Sequence, residues 1–512
     1  MKQLPILPSL LFSTTLLTQA GAVTKPNILF VISDDQSYPY ATAYGCKFVK
    51  TPAFDKVARE GVLFTNAYVT SPGSSPSRAS ILTGRYPWQI EEAGTHGSSF
   101  PRKYKVFTEV LEENGYTTGY TGKPWAPGDW EVSGWKHNPV GHEFNQKKLK
   151  PPYTGLSNID YSGNFDLFLS ERKSGQPFFF WVGTNEPHRA FEEGSWKKDG
   201  KDALTAKAPG FMPDHQVIKE DLLDYAVEIE WFDKHLGKIL QKLQETGELE
   251  NTLVIVTSDN GMPFPRGKAN CYDAGIHVPL AIAWGKNIPS GRVIEQPVST
   301  IDLAPTILEA AGLKFDGTFP MAGKSRLAML KSKQTPKQNG EEEIFAGRER
   351  HSSSRYENRG YPQRTIRKGQ YLYIRNYHPE YWPAGDPQVY NKNGVLSPMH
   401  QGYMDIDDGP ALSFYRNNNV EDDVLKPFFI AAVGKRPAEE LFDLSKDPDC
   451  MVNLAGNASF ADVKKKLSTR LTAKLKETGD PREGTSPEIW ETYPRLKGEI
   501  RNFPNPDENG NK

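Results

Sequence analysis

Cysteine is scarce in this chain, with three residues in 512, at positions 46, 271 and 450. Three widely spaced thiols do not make a disulfide framework. A surplus of charge of one sign is missing too: 62 Lys and Arg stand against 63 Asp and Glu. That balance argues against a nucleic-acid binder, which carries a basic excess, while a local basic pocket could still hold a small anion or an acidic glycan. No apolar run is long enough to span a membrane. The stretch from Leu4 to Leu17 follows Lys2 and precedes Ala20-Gly-Ala22, the layout of a secretory signal peptide cleaved after Ala22. No cysteine stands directly after that point, so a lipoprotein anchor is not supported. The expectation is an exported protein, periplasmic or secreted, without internal repeats and long enough for two or more domains.

Continuous apolar runs are present instead. Asn27 to Ser33, Pro177 to Thr184 and Thr252 to Ser258 read as strands buried on both faces. Between the last two, Leu222, Ala226, Ile229, Phe232, Leu236, Ile239 and Leu243 recur at helical spacing, and Gly247 ends the run. Strand, helix and strand in that order predict an α/β fold: a large mixed, mostly parallel sheet sandwiched by helices. Ligands of such sheets gather at the carboxyl ends of the strands. From about residue 340 the texture changes to short strands around Lys368-Gly-Gln370, a Pro-, Gly-, Asn- and Asp-rich stretch over 380–437 read mostly as loop, and a helix through 461–475. The expected division is a signal peptide at 1–22, a catalytic domain at 23–340 and a smaller α+β subdomain at 341–512 that contributes substrate-binding loops. Only the last dozen residues read as disordered.

Two features carry chemistry. The first buried strand ends in Asp34-Asp35 and the strand at 252–258 runs into Asp259-Asn260-Gly261. Three carboxylates and an amide at one sheet edge repel one another unless a cation sits between them, and all-oxygen donors suit Ca²⁺ or Mg²⁺. Alone, each pair would be a cap or a turn. The second feature is the run Ser74-Ser-Pro-Ser-Arg-Ala-Ser-Ile-Leu-Thr-Gly-Arg85. It holds a possible nucleophile, Ser74, a cation one helical turn on, Arg78, and Pro76, suited to opening a helix. A helix N-terminus favours an anion nearby.

This run resembles the signature of the type I sulfatases of the alkaline-phosphatase-like superfamily, in which its first residue, cysteine or serine, is oxidised to formylglycine. Asn27-Ile-Leu-Phe-Val-Ile-Ser-Asp-Asp35 resembles the family's opening strand, Thr257-Ser-Asp-Asn-Gly261 its second metal segment, and Glu440-Leu-Phe-Asp-Leu-Ser-Lys-Asp-Pro448 its C-terminal signature. The resemblance implies metal ligation by Asp34, Asp35, Ser74, Asp259 and Asn260, with calcium favoured over magnesium. It implies that Arg78 orients the hydrated aldehyde, that Lys123 and Lys268 clamp the sulfate, and that His188 protonates the leaving oxygen. A serine at position 74 implies a sulfatase-maturing enzyme of the radical type as a partner. One departure stands out: where the family usually has a histidine two residues after the lysine, this chain has Trp125, which either packs or stacks on a sugar ring.

Asn185-Glu-Pro-His-Arg-Ala-Phe191 and Pro263-Phe-Pro-Arg-Gly-Lys-Ala-Asn-Cys-Tyr272 resemble the N-sulfoglucosamine sulfohydrolase (sulfamidase) branch. Arg189, His277, His351, Arg355 and Arg364 then join Trp125 as candidate substrate readers. The implied activity is a formylglycine-dependent sulfatase acting on sulfated carbohydrates, O- or N-linked. Alternatives are a phosphodiesterase or phosphonate hydrolase on the same scaffold, and a non-catalytic homologue that only binds sulfated glycan.

Overall fold

The computed structural model describes residues 25–336, 339–418 and 422–506, so the signal-peptide reading of 1–22 lies outside the described residues. Its main body is a nine-stranded sheet. The strands are β1 (Asn27–Ser33), β2 (Val62–Tyr68), β3 (Thr117–Gly122), β4 (His142–Glu143), β5 (Phe178–Gly183), β6 (Thr252–Ser258), β7 (His277–Ala283), β8 (Arg292–Ile294) and β9 (Val298–Ser299). Their order is β4-β3-β5-β1-β6-β7-β2-β8, with β9 beside β2. Every pairing is parallel except those of β7 with β6 and β2.

The apolar runs explain the layering. In β1, Ile28, Phe30 and Ile32 enter one core while Leu29 and Val31 enter the other. Likewise Phe179 and Trp181 of β5 face one side, and Phe178, Phe180 and Val182 the opposite side. A strand with apolar residues at every position needs cover on both faces. One cover includes the helices Ser74–Thr83, Phe107–Glu113 and Leu303–Ala310; the other includes Pro52–Glu60, Tyr161–Glu171 and the long helix Gln216–Glu245.

A second, antiparallel sheet follows, ordered β10 (Glu343–Arg348), β11 (Gln363–Lys368), β12 (Tyr371–Asn376) and β13 (Glu439–Asp443). Phe345, Ile366, Tyr373 and Leu441 on one face pack against Leu467, Leu471 and Leu475 of the helix Ala461–Glu477. The architecture is therefore the expected mixed, mostly parallel sheet with a smaller sheet beside it. The 380–437 stretch is mostly loop as read, and it adds the helices Pro410–Asn417 and Lys426–Val433, which pack Leu412, Phe429 and Val433 into a small core of their own. One reading needs correction: residues 501–506 are not loose, since Phe503 is buried and the Asn502 carbonyl accepts from Tyr390 N at 2.9 Å. The segment 507–512 lies outside the described residues.

Candidate active site

The site forms where β1 and β6, paired in register from Asn27/Thr252 to Ser33/Ser258, release their chains side by side. Asp34 and Asp35 leave β1 while Asp259 and Asn260 leave β6, and Asp35 N donates to Asp259 Oδ1 at 3.1 Å. Asp35 adopts φ 73°, a left-handed conformation that Asp tolerates better than most residues. All four side chains are buried. Asp34, Asp35 and Asp259 each bring an oxygen within 4.8 Å of the others.

Ser74 opens its helix directly over this edge. Gly73 precedes it in extended conformation, and Ser77 N bonds back to the Gly73 carbonyl at 3.1 Å. Ser74 Oγ donates to Asp34 Oδ1 at 3.0 Å and lies 3.4 Å from Asn260 Oδ1. One turn on, Arg78 is fully buried. Its Nε donates to Asp259 Oδ2 at 2.8 Å and its Nη1 to the carbonyls of Lys123 and Pro124 at 2.7 and 3.0 Å. Its Nη2 stands 3.8 Å from Asp34 Oδ1 without a hydrogen bond.

Two lysines flank the acids. Lys123 Nζ donates to Asp34 Oδ2 at 2.5 Å and to Ser74 Oγ at 3.1 Å. Lys268 Nζ donates to Asp35 Oδ2 at 2.7 Å and to Asp407 Oδ2 at 2.9 Å. His188 presents Nε2 3.8 Å from Asp35 Oδ2, while its Nδ1 contacts the Arg189 carbonyl at 2.5 Å. Nδ1 is then the protonated nitrogen by default, which leaves Nε2 facing the site. Burial would raise the Asp34 carboxyl, but Lys123, His188, Arg78 and Lys268 hold it well below its ordinary value. Asp35 stays raised at about 6, because its burial outweighs Lys268 and His188. Lys268 is held above its usual range: burial opposes its charge, and Asp35, Asp407 and Asp34 more than compensate.

This donor set fits a hard divalent cation. It supplies three carboxylates, an amide oxygen and a hydroxyl with no sulfur or imidazole among them, and one of the carboxylates remains under-compensated by the basic groups around it.

Asp407 was not singled out from the sequence. It lies in the Asp405-Ile-Asp-Asp408 turn within the 380–437 stretch, where spacing offers no cue; only the fold brings it to Lys268.

Most of the six proposed substrate readers sit elsewhere. Trp125 is 1% exposed, with Phe100 against its ring and its Nε1 donating to the Ser75 carbonyl at 3.0 Å. Its ring is enclosed by the protein, which supports the packing alternative. Arg189 grips Asp221 in a fork of 2.8 and 2.7 Å and donates Nε to the Pro263 carbonyl. His277 spends both ring nitrogens, on Asp273 Oδ2 and the Thr65 carbonyl, each at 2.9 Å, between the rings of Tyr38 and Tyr68. Arg355 donates to the Trp382 and Pro383 carbonyls and pairs with Asp405 at 2.8 Å. Arg364 is enclosed by Asp480 and Glu349. These four side chains spend their polar atoms on the protein's own groups, an arrangement that supports a structural role for them. His351 lies beside the residue before Ser74: its Nδ1 would lie 3.0 Å from a Cβ at Gly73, and its ring sits beside His96. Burial pulls the His351 imidazole down to about 3.

The Sulfatase family profile matches residues 26–313, more than half of the chain, and the profile described as N-sulphoglucosamine sulphohydrolase, C-terminal, matches 267–387. An ulvan-active sulfatase of Formosa agariphila is 26% identical over 92% of this chain and 79% of its own length. Human N-sulphoglucosamine sulphohydrolase is 26% identical over 89% of this chain and 91% of its own. Among solved structures, an enzyme in complex with its substrate D-glucosamine-2-N,6-O-disulfate superposes with TM-score 0.62 at 19% identity, covering 89% of this chain and 98% of that one. A phosphonate monoester hydrolase of Agrobacterium radiobacter reaches 0.61 at 17%, covering 89% and 96%; at these identities both show a shared fold. With an opening strand, Ser74 in the first turn of its helix and a paired Asp-Asn edge all inside the matched span, this chain belongs to the sulfatase family and is a sulfuric ester hydrolase.

Proposed function

We propose that the chain removes sulfate from sulfated carbohydrates, through a formylglycine made from Ser74 and a calcium ion held by Asp34, Asp35, Asp259 and Asn260. The observation that carries this reading is the placement of Ser74 Oγ, buried at a helix N-terminus between Asp34, Asn260 and Lys123 at 3.0, 3.4 and 3.1 Å. Bound, the cation and the hydrated aldehyde supply charge neutralisation and an acidic hydroxyl nucleophile, which a plain serine lacks.

This chain's own residues do the rest. Lys123 and Lys268 each spend two donors on carboxylates and oxygen, and an ammonium has three, so each keeps one N–H for a sulfate oxygen. Arg78 Nη2, the unpaired donor beside Asp34, holds the nucleophile's oxygen. Preorganised cations of this kind stabilise the charge that builds on the transferring group. His188, its side chain 36% exposed at the open side of the site, gives the leaving sugar oxygen a proton from Nε2 when the ring is the imidazolium, with Nδ1–H still held by the Arg189 carbonyl. Where the leaving atom is a sugar nitrogen, the same proton goes to it. A signal peptide at 1–22 would place the enzyme outside the cytoplasm, where sulfated polysaccharide is met.

The test is peptide mass spectrometry across residues 70–78 on protein produced with a serine-competent maturase. A loss of about two mass units, the two hydrogens that separate an alcohol from its aldehyde, is expected at Ser74. Turnover of glucosamine N,6-disulfate or ulvan oligosaccharides should then follow. Unmodified serine under those conditions overturns the proposal in favour of a glycan-binding protein.

A further inference from the structure

On the sheet edge carrying β4, the helix Phe107–Glu113 and the turn Asn138-Pro-Val-Gly141 bring three metal-ligating side chains together. Glu112, His137 and His142 each offer one donor atom, all within 4.8 Å of one another. Glu112 Oε2 lies 3.6 Å from His137 Nε2, and the two imidazole rings are 4.4 Å apart at 43°. Two donors of one tetrahedral zinc ion, each at about 2.0–2.1 Å from the metal, stand about 3.3 Å apart. The side chains are therefore close to ligating distance without backbone movement.

We propose that Glu112, His137 and His142 form a binding site for a divalent transition-metal ion of the zinc type, separate from the catalytic cation. Imidazole nitrogens paired with one carboxylate suit zinc and not calcium. The surroundings are those of a built site. His137 Nδ1 lies 2.9 Å from the Asn138 carbonyl; an N–H donated there leaves the Nε2 lone pair on the Glu112 side, the second-shell arrangement that orients metal-bound histidines. Thr118 Oγ1 hydrogen-bonds Glu112 Oε1, leaving Oε2 for the metal. The turn itself is fixed: buried Asn138 accepts from Val140 N and Trp125 N and donates to the Trp125 carbonyl, and Gly141 N donates to the Asn138 carbonyl. Gly141, at φ 142°, approaches so closely that a Cβ would lie 2.9 Å from Thr118 Oγ1. His142 is exposed, so an ion can enter from solvent. Bound there, it would tie a two-residue edge strand to the end of the neighbouring helix.

The experiment is equilibrium dialysis of the calcium-loaded full chain against micromolar zinc chloride, read by elemental analysis, beside a thermal melt. The wild type should take up one zinc per chain and melt higher with it. His137→Asn/His142→Asn should lose that equivalent and the melting shift while keeping its calcium and its turnover. Thr118→Val should keep the ligands but bind zinc about tenfold more weakly, a change that loss of packing alone does not make. Zinc uptake that persists in the double variant, or that disappears only in His188→Asn, would place the ion at the Asp35, His188 and Asp407 group and overturn the proposal. So would a wild type that takes up none.

Discussion

Arg78 satisfies its buried guanidinium through Asp259 and two carbonyls and leaves Nη2 beside Asp34. The same residue therefore joins the two acidic segments and faces the proposed nucleophile, and Arg78→Lys, which keeps the charge and loses the fork, should cut turnover by about 10²-fold. Measured kcat against KM on one sulfated sugar decides it; an unchanged kcat would confine Arg78 to bracing. Ser74→Ala should lower turnover by about 10⁴-fold or more, with an unaltered circular-dichroism spectrum; residual activity near wild type would dismiss Ser74 as the nucleophile. Trp125 makes a contrasting case. Its indole hydrogen bond to the Ser75 carbonyl braces the first turn of the Ser74 helix, so Trp125→Phe should cost about 1 kcal/mol of stability and leave KM alone. A raised KM at full stability would restore it to the substrate side.

The long helix Gln216–Glu245 shows how much an element's burial decides beyond its apolar face. Its period was readable because leucines and isoleucines recur toward the sheet, but His235, on the same helix, is also buried, its Nδ1 3.3 Å from Ser162 Oγ and its Nε2 without a hydrogen bond. Burial pulls this imidazole down to about 4, with Lys238 assisting. From pH 6.5 down to about 4 the unfolded chain binds a proton that the folded chain refuses, so stability falls as the pH falls through that window. Between pH 7 and pH 5, His235→Phe should lose about 2 kcal/mol less than wild type in urea unfolding; equal losses would mean that His235 is solvated in the folded state. Strand ends were legible for a related reason. Asp34, Asp35, Asp259 and Asn260 follow runs that had to be buried, so their location at one sheet edge followed from the strands pairing in parallel. Arginines had no such marker: Arg355 and Arg364 read as candidate substrate contacts because their partners Asp405, Glu349 and Asp480 are distant in sequence and meet them only in the folded subdomain.

At the scale of the molecule, the same asymmetry separates what sequence can tell from what it cannot. The parallel sheet was legible from periodicity alone, whereas Asp407 reaches Lys268 across 139 residues through an irregular segment. That segment brings Asp407 to the acidic edge beside Asp35 and His188, so the site joins carboxylates from distant parts of the chain. Asp34, Asp35 and Asp259 converge within 4.8 Å, and Asp35 is raised to about 6 by its burial. A cation that binds only the folded chain stabilises it by mass action. Calcium at about a hundred times its dissociation constant should therefore add about 2.7 kcal/mol, seen as a higher melting temperature that EDTA reverses. Asp259→Asn should abolish most of this gain, since it removes a ligand charge and the partner of Arg78 Nε together. The control is Asp407→Asn, which weakens the hold on Lys268 without touching the proposed ligands; it should keep the calcium-dependent gain and lose kcat/KM instead. A melting temperature indifferent to calcium in the wild type would remove the acidic cluster from metal binding, and a gain lost equally in Asp407→Asn would extend the ligand set to the far side of the site.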